Sequence, residues 1–533
     1  MRMNLSDRAG RQPVLARNVV ATSQPLATQA GIAALARGGN AVDAALAAAI
    51  TLTVVEPTMN GIGGDGFALV WDGERLHGLN ASGRAPAGWH PKRFAGQAAM
   101  PTLGWDSVTV PGVVSGWVAL SERFGALLFA DLFVDAVRHA RDGFPVSPVI
   151  SRQWRDQAQV LHGQPGFSAF MPGGRTPRAG EMWRFADQAR TLEDIAATRG
   201  ASLYEGRLAE AITAWSDANG GALSRADLRE HRCAWVEPIE VAFAGHAVHE
   251  IPPNGQGIAA LMALGMLEAL PYAETAPGSA ARMHLEIEAM RVAFADLDAH
   301  VADMAHMRVT PAQLLDRDYL RERARLIDPR RAGSHAPGQP ASGGTVYLCT
   351  ADADGRMVSY IQSNYRGFGS GVVVPGTGIA MHNRGFGFVT TAGHPNEVGP
   401  GKRPLHSIIP AFLSRAGRPV MVFGVMGGNM QAQGHTQMVL RHVVEGLDPQ
   451  ACTDAARWRI NDAGTLTLEP AVDPAVPAGL EAMGHRPQVA VPGNLDFGSA
   501  QLALRLDADT VGGDEPAYAA GSDHRRDGQA AGR

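Results

Sequence analysis

The sequence predicts an α+β fold to which both halves of the chain contribute. Residues from about 107 to 330 are patterned mainly as helix, residues after Thr345 turn abruptly to strand formers, and a stretch at 330–344 holds almost nothing that can pack. Neither half carries enough strand to make a sheet alone. One α/β plus β body is therefore expected, with 1–344 as a helix-rich segment ending in a flexible linker and 345–533 as a β-rich segment.

Residues 19 to 55 read as a helical pair. "SQPLATQAGIAALARGGN" has apolar residues at helical spacing and ends on Gly38-Gly39, and Asn40 caps the next helix with Asp43 in its first turn. "GFALVWDGERLHGLNASGRAP" reads as a hairpin around Asp72-Gly73. The helical region includes "GVVSGWVALSERFG", "TLEDIAATRG" and "MHLEIEAMRVAFADLDAHVAD", and the β insert "IEVAFAGHAVHEIPP" interrupts it. Beyond the linker, "TVYLCTADADGRMVSYIQS" alternates around a DG turn, and strands return in "IIPAFLSRAGRPVMVFGVMGG". A helix is expected at roughly 433 to 446, and "GSDHRRDGQAAGR" reads as a polar tail.

Composition excludes several classes. With 45% hydrophobic and 19% charged residues and a net charge of -5, the 533-residue chain gives no sign of nucleic-acid or membrane binding. Cys233, Cys349 and Cys452 are far apart and odd in number, which fits a reducing compartment and no disulfide framework. The start has no apolar signal core, and "AVDAALAAAITLTVV" is too short for a membrane span, so a cytoplasmic location is expected. "GIGGDG" at 61–66 matches a dinucleotide fingerprint only in letters, since a helix precedes it and a strand follows. The histidines have no H-E-x-x-H or C-x-x-C companions, so neither metal nor cofactor is expected.

Thr345 is the informative residue. A threonine hydroxyl needs a base beside it, and an N-terminal threonine has one in its own α-amine, with an ordinary pKa of about 7.7–8.0. The bond between Gly344 and Thr345 must first break, which the hydroxyl can do by attacking the Gly344 carbonyl. Gly343 and Gly344 allow the backbone this needs, and the linker lets the new end leave. On spacing alone, the plainer reading of Gly-Gly-Thr as a loop end leads.

Ordered matches shift that balance: "ATSQPLATQAGIAALARGGNAVDAALA", "EPTMNGIGGDGF", "TVPGVVSGWVAL", "IPPNGQGI", "EAMRVAFAD", "TVYLCTADADGRMVSYIQSNYRGFGSG", "RPLHSIIPAF", "VMGGNMQ" and "GSDHRRDGQAAG". Across nearly its whole length the chain resembles the γ-glutamyltransferase family of N-terminal-nucleophile hydrolases. The resemblance implies a four-layer αββα sandwich, self-cleavage between Gly344 and Thr345, and large and small chains that stay together. It implies Thr345 as nucleophile, Ser363 as the hydroxyl that positions it, and Gly427 and Gly428 as the oxyanion hole. The family's second hydroxyl is replaced by Val346.

The glutamyl-reading positions depart from the family. Its carboxylate-binding arginine is Ser82 here, with Arg84 two residues on; its asparagine after the nucleophile is Tyr365; its Gln and Asp are Arg384 and Gly387; its Ser-Ser is His406-Ser407. Losing the acid and gaining Arg384 points to a small substrate with negative charge and no ammonium, gripped by Arg384 or Arg84. Either arginine also reads as structural, and His406 as a pocket wall or a buried histidine bonded to backbone. The pattern resembles the subgroup containing oxamate amidohydrolases. The alternatives are a γ-glutamyl hydrolase or transpeptidase acting on glutathione-like donors, and a non-catalytic binding protein of the same fold. The expected partner is a small-molecule amide, and a homo-oligomer is left open.

Overall fold

The computed structural model describes residues 10–333, 344–461, 463–508 and 512–533. Of the expected linker, residues 334–343 lie outside the described residues, Gly343 among them. Residues 330–333 do not behave as linker. The Ala332 amide donates to the Met483 carbonyl (2.7 Å) and the Gly333 amide to Glu288 (2.7 Å).

Two seven-stranded sheets form the centre. The segment before the linker supplies β1 (Val14–Ala16), β2 (Val19–Thr22), β3 (Asp65–Trp71), β4 (Leu76–Ala81), β5 (Ala234–Val236), β6 (Ile239–Phe243) and β7 (His246–Glu250). The rest supplies β8 (Gly344–Ala351), β9 (Met357–Tyr365), β10 (Ala411–Arg415), β11 (Arg418–Met426), β12 (Ser499–Arg505), β13 (Tyr518–Ser522) and β14 (Gln529–Gly532). One sheet runs β1-β13-β12-β11-β10-β7-β6 and the other β14-β2-β8-β9-β3-β4-β5, so each mixes strands from both sides of Thr345. Every pairing in both is antiparallel.

Helices cover both outer faces. α1 (Pro25–Ala36) and α2 (Ala41–Val55) form one layer, with α2 on β8 and β9. α3 (Gly257–Glu268), α4 (Ala280–His300) and α5 (Met430–Val439) form the other, with α3 on β6 and α5 on β11. This is the expected four-layer sandwich. The period-2 geometry of β8 explains its unbroken apolar run. Tyr347 and Cys349 enter the core shared with Phe423 and Leu502 of the opposite sheet, while Val346 and Leu348 enter the core shared with α2.

Local expectations largely hold. Asn40 makes a reciprocal capping box with Asp43, and Asp72 closes the β3–β4 turn by accepting from the Glu74 and Arg75 amides. Three boundaries are corrected. Residues 19–22 are strand, the late helix starts at Met430, and the polar tail carries the end of β13 and all of β14, one in each sheet. Among the described residues no helix is long and apolar enough to cross a membrane.

Candidate active site

The site grows from an irregularity where β8 meets β9. Val346 lies opposite Gln362 and Gly344 opposite Tyr365, so Ser363 and Asn364 stand against Thr345 alone. An extra residue of this kind bends the strand and re-aims its side chains. Tyr365 closes the bulge at φ +77, a left-handed conformation uncommon outside glycine. The "GIGGDG" glycines serve close approach here. A Cβ on Gly64 would sit 2.7 Å from the Ser363 carbonyl oxygen, so only glycine lets this loop lie against the bulge before entering β3.

Thr345 is fully buried. Its Oγ1 donates to Ser363 Oγ (3.3 Å) and accepts from Gln431 Nε2 on α5 (3.2 Å). Ser363 Oγ also accepts from the Tyr365 amide (2.7 Å). The Tyr365 ring carries the Arg384 guanidinium at 4.1 Å, and Arg384 Nη1 donates to Ser407 Oγ (2.9 Å). Gln256 Nε2 donates to both the Ser407 carbonyl (2.5 Å) and the Gly428 carbonyl (2.9 Å). The Gln431 amide donates to that same Gly428 carbonyl (3.1 Å), which closes a ring of contacts back to Thr345. Gly427 and Gly428 lie at φ +128 and +63, between the end of β11 and the start of α5.

Arg384 stands out electrostatically. It is fully buried, burial pulls its guanidinium down to about 10, and among the described residues its Nε and Nη2 have no hydrogen-bond partner. Those two N–H groups form one edge of the guanidinium, the fork that fits a carboxylate. The buried acid whose charge Arg384 feels, Asp65, makes its hydrogen bonds elsewhere. Asp65 accepts from the Gly83 and Gly112 amides (both 3.1 Å) and from His406 Nε2 (3.0 Å). Burial pushes the Asp65 carboxyl up, but His382 and His406 hold it down at about 2. Burial and Arg384 push His406 down to about 3, so the imidazole is neutral.

Thr345, Ser363, Tyr365, Arg384, Ser407 and Gly428 therefore converge, with Gly427 adjoining. His406 belongs to the Asp65 cluster and also pairs through its backbone, its amide donating to the Asn254 carbonyl at 2.7 Å. Arg84 is not brought to the ring. Its half-exposed side chain meets Asp303 (3.3 Å) and the Gly401 carbonyl (2.9 Å). Ser82 is buried against Asn80 (2.7 Å). A Cβ on Gly387 would sit 2.4 Å from the Leu405 carbonyl oxygen, so no acid fits there without moving backbone. Sequence reasoning missed Gln256 and Gln431. Both lie inside motifs singled out by resemblance, but a buried glutamine and a surface glutamine carry the same letter.

The Gamma-glutamyltranspeptidase family model matches residues 27–533. The chain belongs to this family. It is 35% identical to the oxamate amidohydrolase proenzyme of Klebsiella pneumoniae over 496 residues, 90% of this chain and 93% of that one. It is also 35% identical to a glutathione hydrolase-like proenzyme of Bacillus subtilis over 447 residues, covering 83% and 85% of the two chains. Among solved structures, cephalosporin acylase from Bacillus halodurans superposes with a TM-score of 0.93 at 43% identity, over 100% of this chain and 99% of that one. As a member of the γ-glutamyltranspeptidase family, the chain is an enzyme of the hydrolase and acylase type.

Proposed function

We propose that this chain is a self-processing threonine amidohydrolase whose substrate is a small amide bearing a carboxylate, of the oxamate kind. The unfilled fork of Arg384 carries the reading: a buried cation linked to Thr345 through Tyr365 and Ser363, with two N–H groups unsatisfied among the described residues, is completed by a substrate anion. The Klebsiella pneumoniae relative, an oxamate amidohydrolase, points to the same chemistry.

The mechanism follows from what surrounds Thr345. Its hydroxyl partners, Ser363 and Gln431, cannot take a proton at neutral pH. The base is the Thr345 α-amine, which exists only once the preceding bond is cut. In processing, Oγ1 adds to the Gly344 carbonyl carbon, the C–N bond opens to an ester, and water releases the Gly344 carboxylate and the Thr345 amine. In turnover, Oγ1 attacks the substrate amide carbon and passes its proton to the α-amine. The oxyanion is met by amides of Gly427 and Gly428, a contribution typically worth about 3–4 kcal/mol per donor. The leaving amine takes the proton, and water, deprotonated by the same α-amine, hydrolyses the ester. Arg384 holds the substrate carboxylate throughout.

A γ-glutamyl donor brings an ammonium that needs an acid partner, and backbone closes the Gly387 position to one. Hydrolysis of oxamate should exceed that of a γ-glutamyl anilide by at least about tenfold in kcat/KM, roughly 1.4 kcal/mol. N-terminal sequencing of the smaller chain, expected to begin at Thr345, tests processing, and Thr345→Ala should stay uncut. Steady-state kinetics on both substrates tests the pocket. A preference for the γ-glutamyl donor would overturn the substrate assignment while leaving the nucleophile standing.

A further inference from the structure

We propose that His284, Glu288 and His485 bind a divalent cation of the zinc class, fastening the end of the segment before residue 334 to the segment after Thr345. His284 and Glu288 are four residues apart on α4, one turn along the same face. His485 follows the helix Ala475–Ala482 in the other segment. The three side chains are buried, and their donor atoms all lie within 4.8 Å of one another. Two imidazoles and a carboxylate are a recurrent zinc ligand set that leaves a fourth position for water.

The surroundings prepare these groups as ligands. His284 Nε2–H donates to the Asp328 carbonyl (2.8 Å), which fixes the tautomer and aims the Nδ1 lone pair at the cluster. That second contact is the usual companion of a metal-bound histidine. His485 Nε2 lies 2.7 Å from His284 Nδ1, and His485 Nδ1 is buried with no hydrogen-bond partner among the described residues. No partner at Nδ1 therefore fixes the His485 tautomer, and its Nε2 can present a lone pair to a cation as readily as a proton to His284. Glu288 accepts from the Gly333 amide (2.7 Å) and pairs with partly exposed Arg291 (3.2 Å). A carboxylate offers about four lone-pair sites, so ligation leaves room for both contacts.

The place matters as much as the donors. Asp328 and Gly333 bond to the cluster residues themselves, and the Ala332 amide bonds to Met483, two residues before His485. A cation here ties α4, the stretch 328–333 and the His485 turn with one set of bonds. This inference stands whether or not the chain is cut.

The test is calorimetric titration of chelator-treated full chain with zinc chloride, with thermal unfolding in parallel, on wild type, His485→Ala and Glu288→Gln. Wild type should bind one zinc per chain and gain at least about 3 °C in Tm at saturation. Both variants should bind at least about tenfold more weakly, and His485→Ala should keep its amide turnover. Cobalt added to wild type should give the visible bands of a four-coordinate site, a readout that needs no variant. Absence of zinc binding by wild type, a featureless cobalt spectrum, or equal affinity in all three proteins would overturn the site.

Discussion

Arg457 and Arg384 are both fully buried, and burial holds both guanidiniums at about 10. Arg457 donates to the Phe497 carbonyl (2.9 Å), the Thr453 carbonyl (3.1 Å) and Asp523 (2.5 Å), and among the described residues only its Nε lacks an acceptor. Asp523 also pairs with Arg525 (3.0 Å), which pairs in turn with Glu469. Two cations and two anions thus close on themselves. Among the described residues Arg384 contacts a hydroxyl and an aromatic face and pairs with no carboxylate, feeling the charge of Asp65 only across space. The fold finishes the first arrangement, while in the second two N–H groups have no partner among the described residues, which on the reading proposed above a substrate anion completes.

Breaking the finished network should have the largest effect. Arg457→Leu leaves Asp523 buried with one cation fewer and should cost about 3–5 kcal/mol of stability, read by denaturant unfolding. Arg384→Gln should do the reverse, with Tm unchanged or higher. Its kcat/KM on an acidic amide should fall by about 30- to 150-fold, or about 2–3 kcal/mol, in steady-state assays. Equal stability losses in the two variants would erase the difference between the two arginines.

Protons sharpen the contrast next. His406 is held down at about 3 and His231 at about 4, in both cases first by burial. Unfolded histidine titrates near about 6.5, so below that pH the unfolded chain binds protons the fold refuses. Stability is therefore full above about pH 6.5 and falls on acidification towards the folded values, by up to about 1.4 kcal/mol per pH unit for each ring. Tm measured from pH 7 to pH 4.5 should decline steadily, and a flat profile would contradict neutral buried rings. The smallest effect is a ligand shift. Oxalate at ten times its Kd should stabilise wild type by about 1.4 kcal/mol and leave Arg384→Gln unmoved in thermal unfolding.

Local signals were legible in the sequence and long-range ones were not. The Asn40 cap, the Asp72 turn and the onset of strand at Thr345 each rest on a few neighbouring residues and read directly. β13 and β14 did not, because "YAAGS" and "QAAG" hold few strand formers and pair with β1 and β2 at the far end of the chain. Residues 330–333 read as linker because their partners, Met483 and Glu288, come from elsewhere. Arg84 and Arg384 were indistinguishable as letters. Only burial and the Asp303 pairing separate the surface cation from the open one. Gln256 and Gln431 earn their importance wholly from three-dimensional placement.

The left-handed backbone at Tyr365 has a consequence for how the enzyme can diverge. Among residues with a side chain, asparagine adopts that conformation several-fold more readily than most, and asparagine is what the resembling family carries there. The main chain is thus already shaped for the other residue. Tyr365→Asn removes the ring beneath Arg384 while relieving backbone strain by about 1 kcal/mol. At Gly387 the opposite holds, since the Leu405 carbonyl bars any side chain until backbone moves. On the pocket proposed above, one wall is interchangeable by a single substitution and the other is frozen, so a change of substrate can begin at residue 365 and cannot begin at residue 387.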